Sequence, residues 1–191
     1  QLKALLQTTT QSQAKAIAAR VLDVELSPVR QFLVLDKGWR DGVMINQAVL
    51  DARGVMGQII DVGYMTSTVL LISDSKSGVP VRNHRTGEWG LVMGTNQSDA
   101  LVLLNLPKTS PTQAGDIWVT SGLGGHYPEG YPVGTVLQLQ RMAGEPFVQV
   151  AIAPIARLSQ SQLVLVVLSD KKPNDLIDQI HTRLRVLSGM S

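Results

Sequence analysis

Thr120-Ser121-Gly122-Leu123-Gly124-Gly125-His126-Tyr127-Pro128-Glu129-Gly130-Tyr131-Pro132-Val133-Gly134 is a loop with a specified path. Glycine reaches positive φ without a Cβ penalty, and proline fixes φ and removes a donor. Apolar, strand-like runs flank it: Asp116-Ile117-Trp118-Val119 before and Thr135-Val136-Leu137-Gln138-Leu139 after. A rigid connection between two strands places this part of the chain in a β-domain. A serine beside a glycine run, with a histidine nearby, also raises the question of an active site.

Moving outward, the same grammar repeats. Val21-Leu22-Asp23-Val24, Gln31-Phe32-Leu33-Val34-Leu35, Ala48-Val49-Leu50, Val55 to Val62 and Thr68 to Ile72 are short apolar runs. Turn signals separate them at Asp36-Lys37-Gly38, Asp41-Gly42, Asp51-Ala52-Arg53-Gly54 and Asp74 to Gly78. A second set follows from Val79-Pro80-Val81 through Ala100 to Leu106, Gly134 to Gln140, Pro146 to Ile152 and Gln162 to Leu168. Strands this short and regularly spaced predict small barrels or sandwiches.

The two sets resemble each other. Asp41-Gly42, Val49-Leu50 and Gly57 to Val62 run parallel to Gly115-Asp116, Trp118-Val119 and Gly134 to Leu139. The expectation is a mainly β protein: two small β-barrel-like domains preceded by an N-terminal coiled-coil helix. The helix covers 1–19, the first β-domain 20–77, the second 78–170, and a helical or disordered tail 171–191. Closing each sheet would remove edge strands that invite aggregation. In the lead-in, Leu2, Leu5, Leu6, Ala14, Ile17 and Ala18 form one helical stripe. It packs on its own domain or pairs with a second chain.

Composition narrows the function. Of 191 residues, 44% are apolar and 17% charged, which is a globular balance. A net charge of +2 leaves no electrostatic footprint for nucleic acid. The absence of cysteine excludes disulfides, thiolate metal sites and a cysteine nucleophile. No run approaches the roughly 18 apolar residues of a membrane helix. The chain begins at Gln1, the expectation for a fragment with a signal or anchor upstream.

The chemical readings fail on detail. A double barrel with serine, histidine and aspartate would suit a chymotrypsin-like hydrolase. Yet Ser121 lies in Val-Thr-Ser-Gly-Leu, and His84 lies in a polar turn, Arg82-Asn83-His84-Arg85. No Gly-x-Ser-x-Gly elbow is present. Gly122-Leu123-Gly124-Gly125 lacks the Lys-Ser/Thr of a phosphate loop. His84, His126 and His181 have no metal-ligand spacing. An OB-like binder of oligonucleotides or oligosaccharides would need aromatic and basic residues on one sheet, and Trp39, Trp89 and Trp118 are scattered, reading as partly buried indoles. The expectation is no catalytic residue, no cofactor and no metal.

The segments Leu35-Asp36-Lys37-Gly38, Gln47-Ala48-Val49-Leu50-Asp51, Gly54-Val55-Met56-Gly57-Gln58-Ile59, Val79-Pro80-Val81, Gly115-Asp116 and above all Thr120 to Gly134 carry a family resemblance. The chain resembles the MreC family of bacterial cell-shape-determining proteins, in its Gram-negative form. The resemblance implies a single-pass inner-membrane protein whose coiled coil and two β-domains lie in the periplasm. It implies a non-enzymatic scaffold of the cell-elongation machinery. Such a scaffold binds and activates a class B penicillin-binding protein transpeptidase, works with MreD, RodA and MreB, and forms dimers or filaments. His126-Tyr127 stands where that family usually has Arg-Phe, which alters any charge contact there.

These readings make residue-level expectations. Leu2, Leu5, Leu6 and Ile17 are candidates for self-association. Tyr127, Tyr131 and His126 are candidates for partner contact, with burial of both tyrosines in the second barrel as the alternative. Gly122, Gly124, Gly125, Pro128, Gly130, Pro132 and Gly134 are assigned to the loop's backbone path.

Overall fold

The computed structural model describes residues 15–141 and 143–168, together with 185 and 189. The strands are β1 (Lys15–Leu26), β2 (Gln31–Leu35), β3 (Ala48–Leu50), β4 (Val55–Val62), β5 (Ser67–Leu71), β6 (Gly78–Asn83), β7 (Trp89–Gln97), β8 (Ala100–Leu104), β9 (Ile117–Thr120), β10 (Pro132–Arg141), β11 (Val148–Pro154) and β12 (Leu163–Leu168). They close into two antiparallel barrels. One runs β1-β12-β3-β4-β5-β2 and the other β10-β11-β8-β7-β6-β9.

The expected mainly β, two-barrel architecture is present, with two corrections to its boundaries. Residues 15–19 are not helix. They begin β1, where Lys15 to Arg20 pair with Leu168 to Leu163. Ile17 packs against the barrel core and Ala19 is buried. A strand partner overrides the weak helical stripe, because β propensity is decided by tertiary pairing. The rest of the predicted stalk, 1–14, and the predicted tail, 171–191 apart from 185 and 189, lie outside the described residues.

The second correction concerns β12, assigned by sequence to the second domain. It inserts between β1 and β3 of the first barrel instead. The run Leu163-Val164-Leu165-Val166-Val167-Leu168 is aliphatic throughout, so its sequence specifies no partner. The first barrel supplies the vacancy that it fills.

The two barrels are wired alike once β12 is counted first. The walk β12-β1-β2-β5-β4-β3 in one matches β6-β7-β8-β11-β10-β9 in the other. The irregularities match too. The β4–β5 ladder breaks between Ile59 and Asp61, and the β10–β11 ladder between Val136 and Gln138. Each bulged residue, Ile60 or Leu137, stands three positions after a strand glycine and points outward. Bulges sharpen twist, which a small closed barrel requires.

The repeat has a different register at its start from the one read in sequence. Ile59 exchanges backbone bonds with Asn46 and Gln47, as Val136 does with Gly115 and Asp116. Asn46 (φ 75°) therefore stands where Gly115 (φ 89°) stands, not Asp41 or Gly42. Asparagine tolerates this left-handed conformation, so the equivalence hides from a search for glycines.

Side chains at alternate positions fill each barrel. Leu33, Leu35, Ile59, Val69 and Leu71 are buried in the first, and Val81, Val92, Leu101, Leu103, Trp118 and Ile152 in the second. Truncating one such aliphatic residue to alanine costs about 2–5 kcal/mol.

Candidate functional site

The Thr120–Gly134 loop is knotted to its own strand ends. Thr120 N–H donates to Tyr131 O at 2.8 Å, and Gly130 N–H to Thr120 O at 2.9 Å. The Thr120 hydroxyl accepts Tyr131 N–H at 2.9 Å and donates to the Pro128 carbonyl. Gly122, Gly124, Gly125 and Gly130 all have φ between 75° and 95°, the left-handed region where a side chain is strained.

Tyr127 and Tyr131 are each only 4% exposed. They belong to the core, which corrects their candidacy as partner contacts: a ring without accessible surface cannot dock. Burial pushes the Tyr127 hydroxyl above the ordinary tyrosine value, moderated by a hydrogen bond with Ser77. Ser77 lies on the connection between the barrels, so this ring ties the loop to the junction. His126 is exposed, as is Leu123. The Ser121 hydroxyl accepts Leu123 N–H at 3.3 Å, which closes a local turn.

The loop also touches the first barrel. A Cβ on Gly54, in the β3–β4 turn, would run into the Pro132 carbonyl. Two buried carboxylates secure the crossings between barrels. Asp74, on the outgoing connection, accepts Gln31 N–H at 2.9 Å and Lys76 N–H at 2.8 Å. Asp51 accepts Arg53 and Gly54 N–H from its own turn. Its other oxygen accepts Arg157 N–H at 2.7 Å and the Ser161 hydroxyl at 2.8 Å on the return connection. The Gln31 amide spans both barrels, donating to Ser27 O at 2.9 Å and Asn96 O at 3.1 Å. A buried carboxylate whose two oxygens both accept hydrogen bonds specifies geometry, because another packing leaves buried polar groups unpaired.

In the second barrel, Arg85 holds Asp116 through Nε and Nη2, each at 2.9 Å. These bonds from Arg85 hold the Asp116 carboxyl well below the usual carboxylate range. Gln113 N–H and the Asn83 amide assist, and burial opposes. The Arg85 guanidinium is raised in turn by the same bonds.

An exposed aromatic and apolar surface lies on the first barrel. After β2, Gly38 opens a single turn of 3₁₀ helix, Trp39–Asp41. Trp39 N–H donates to Gly63 O at 2.9 Å and Arg40 N–H to Tyr64 O at 3.2 Å. This fixes the turn against the β4–β5 hairpin. The Trp39 and Tyr64 rings meet edge to face at 4.7 Å, and the Arg40 guanidinium lies 6.0 Å from the centre of the Tyr64 ring. Trp39 is 61% exposed and Tyr64, against it, is exposed too; Met65, next in sequence to Tyr64, and Met44, Ile45 and Ile60 of the same barrel are also exposed. An aromatic and methionine cluster with arginine has the composition of an interface core.

Sequence reasoning passed over this face. It read Trp39, Trp89 and Trp118 as scattered, partly buried indoles. Trp118 is fully buried, whereas Trp39 and Trp89 are more than half exposed. The available signal was Trp39-Arg40 inside a Gly38–Gly42 turn and Tyr64-Met65 after Gly63: large apolar residues at turn positions with no strand to bury them. Their convergence needed the barrel. Leu2, Leu5 and Leu6 lie outside the described residues, and Ile17 belongs to the β1 strand.

Fold and surface define a double-barrel β module whose two halves are locked by buried aspartates and which presents a fixed aromatic face. The chain belongs to the MreC family: rod shape-determining protein MreC, barrel core, matches residues 21–168. Cell shape-determining protein MreC of Haemophilus influenzae is 40% identical over 148 residues, 78% of this chain and 42% of that protein. The Escherichia coli K12 protein of the same name is 32% identical over 165 residues, 86% of this chain and 45% of that protein. The chain thus spans less than half the length of these relatives. The crystal structure of MreC from Pseudomonas aeruginosa superposes with a TM-score of 0.79 at 38% identity, covering 81% of this chain and 99% of that one. MreC in a complex with penicillin-binding protein PBP2 from Helicobacter pylori shares the fold, with a TM-score of 0.62 at 18% identity over 82% of this chain and 100% of that one.

Proposed function

We propose that this chain is the periplasmic part of a non-enzymatic cell-elongation scaffold that docks onto a class B penicillin-binding transpeptidase. Docking favours the transpeptidase's active conformation. The observation that carries this reading is the Trp39–Tyr64–Met65 face, held on a rigid turn and left open to solvent. Support comes from the family and from the recorded complex of a relative with a penicillin-binding protein. An upstream membrane helix would anchor the scaffold beside MreD and RodA, with MreB across the membrane. Self-association is assigned to the lead-in residues Leu2, Leu5 and Leu6, and a charge-bearing contact in the loop to His126.

The test is biolayer interferometry against the periplasmic region of the cognate transpeptidase. Trp39→Ala/Tyr64→Ala is expected to weaken binding about tenfold or more, as loss of interface anchors does. Near-UV circular dichroism reports whether the barrels are intact. Unchanged affinity in a folded variant would reject this face as the docking surface.

A further inference from the structure

Strand β1 is longer than its neighbour on one side. Lys15 to Arg20 pair with β12, and Val21 N–H reaches Gln162 O at 2.9 Å. Beyond that point, among the described residues, Leu22 is bulged out of the β1–β2 ladder and Asp23 to Leu26 have a strand partner on the β2 side alone. The opposite edge faces an open groove of about 620 Å³ lined by Val21 to Val24 and Ser159 to Gln162. Val24 N–H is closed by its neighbour's own carboxylate, Asp23 Oδ1, at 2.9 Å, not by another strand. An unpaired edge is a template for strand addition, and a local side-chain bond is a device that blunts one.

The side chains along this edge alternate. Val24 and Leu26 share one face, at the barrel mouth, and both remain exposed. Asp23 and Glu25 share the other, and no lysine or arginine stands between Val21 and Pro28. A second copy is a poor occupant. Antiparallel pairing about Val24 sets Asp23 opposite the other copy's Glu25, and like charges directly opposite destabilise a ladder.

We propose that the Leu22–Leu26 edge captures an extended partner segment with apolar residues on one face and lysine or arginine on the other. The incoming backbone takes over Val24 N–H, and the displaced Asp23 carboxylate pairs with a cation of the segment. This site is separate from the Trp39 face, which lies past the other end of β2.

The test uses two acetylated decapeptides, one alternating Val and Lys, the other Val and Glu, titrated into ¹⁵N-labelled protein. The Val/Lys peptide is expected to shift the amides of Leu22 to Leu26 and Ser159 to Gln162. Val24→Pro removes only the edge-facing donor, and should weaken binding about tenfold with the fold retained. Asp23→Lys/Glu25→Lys should reverse the preference to the Val/Glu peptide. The proposal is overturned by shifts located elsewhere, by no shifts, or by equal response to both peptides. Concentration-dependent shifts at these amides without peptide would assign the edge to a second copy. Cross-peaks from residues 1–14 or 169–191 to Leu22–Leu26 would assign it to the chain's own ends. Either result also overturns the proposal.

Discussion

Asp51 Oδ2 and the backbone N–H of Arg157 meet at 2.7 Å across 106 residues of chain. The same oxygen accepts the Ser161 hydroxyl, and the other oxygen caps the β3–β4 turn. One carboxylate thus joins the turn that leads into β4 to the connection that brings the chain back as β12. This side chain and Asp74 at the other crossing act with the Gln31 bond to Asn96 and the Gly54–Pro132 approach in placing the barrels.

Asp51→Asn keeps the shape but turns one acceptor into a donor facing donors. The expected loss is about 1–3 kcal/mol, the cost of leaving buried groups unpaired. Urea denaturation measures it. A loss within error would show that water or another group satisfies Arg157 N–H.

Gly54→Ala places a methyl group against the Pro132 carbonyl, which is backbone and cannot swing aside. It should destabilise by roughly 1–3 kcal/mol through overpacking. Small-angle scattering should report a wider separation of the barrels than in the wild type. Unchanged stability and scattering would mean that this contact does not set the approach of the two halves.

Asp116 gives a pH signature with a definite sign. Its folded-state pKa is lowered by Arg85, so its contribution is fully present above the unfolded value of about 4. The contribution is lost as pH falls through the lower, folded value. Asp116→Asn should therefore be less stable than the wild type at neutral pH, and the gap should narrow only below about pH 4. Paired denaturation curves across that window test it; a gap independent of pH would refute the assignment.

Tyr127 predicts the alkaline limb. Burial raises its folded-state pKa, so its stabilising effect is complete below the unfolded value of about 10 and is lost as pH rises beyond it. Tyr127→Phe removes the ionisable group. It should flatten the fall in stability above about pH 10 at a small cost from the lost Ser77 bond. An identical alkaline slope in the variant would show that another group controls it.

The Trp39–Tyr64 pair, both rings exposed, should show a double-mutant coupling of about 0.5–1.5 kcal/mol or less in stability. Its larger effect should appear in transpeptidase affinity. If stability falls by several kcal/mol instead, the pair is structural and not a docking face.

Much of the fold was legible because turns are local. Gly54, Gly122 and Gly130 announced reversals by composition, and the period-two runs at Leu33 to Leu35 and Val148 to Ile152 announced strands. The kinship of the barrels was legible at Gly57 and Gly134, because each strand needs a residue without a side chain there. It was misread at Asn46, where a different residue type adopts the same backbone. The start of β1, Lys15–Ala19, was misread as helix because its alanines suit a helical stripe as well.

The docking face illustrates the other half. Trp39, Tyr64 and Met65 come from separate turns, and nothing in their spacing says that they meet. Sequence by itself determined the β architecture, the paths of the glycine–proline loop and the family, since those depend on residue type and near neighbours. Tertiary structure decided that β12 completes the first barrel, that Tyr127 and Tyr131 are core, and that Asp51 and Asp74 join the halves. Those outcomes depend on which distant surfaces become adjacent, and loop closure over 106 residues leaves no local trace.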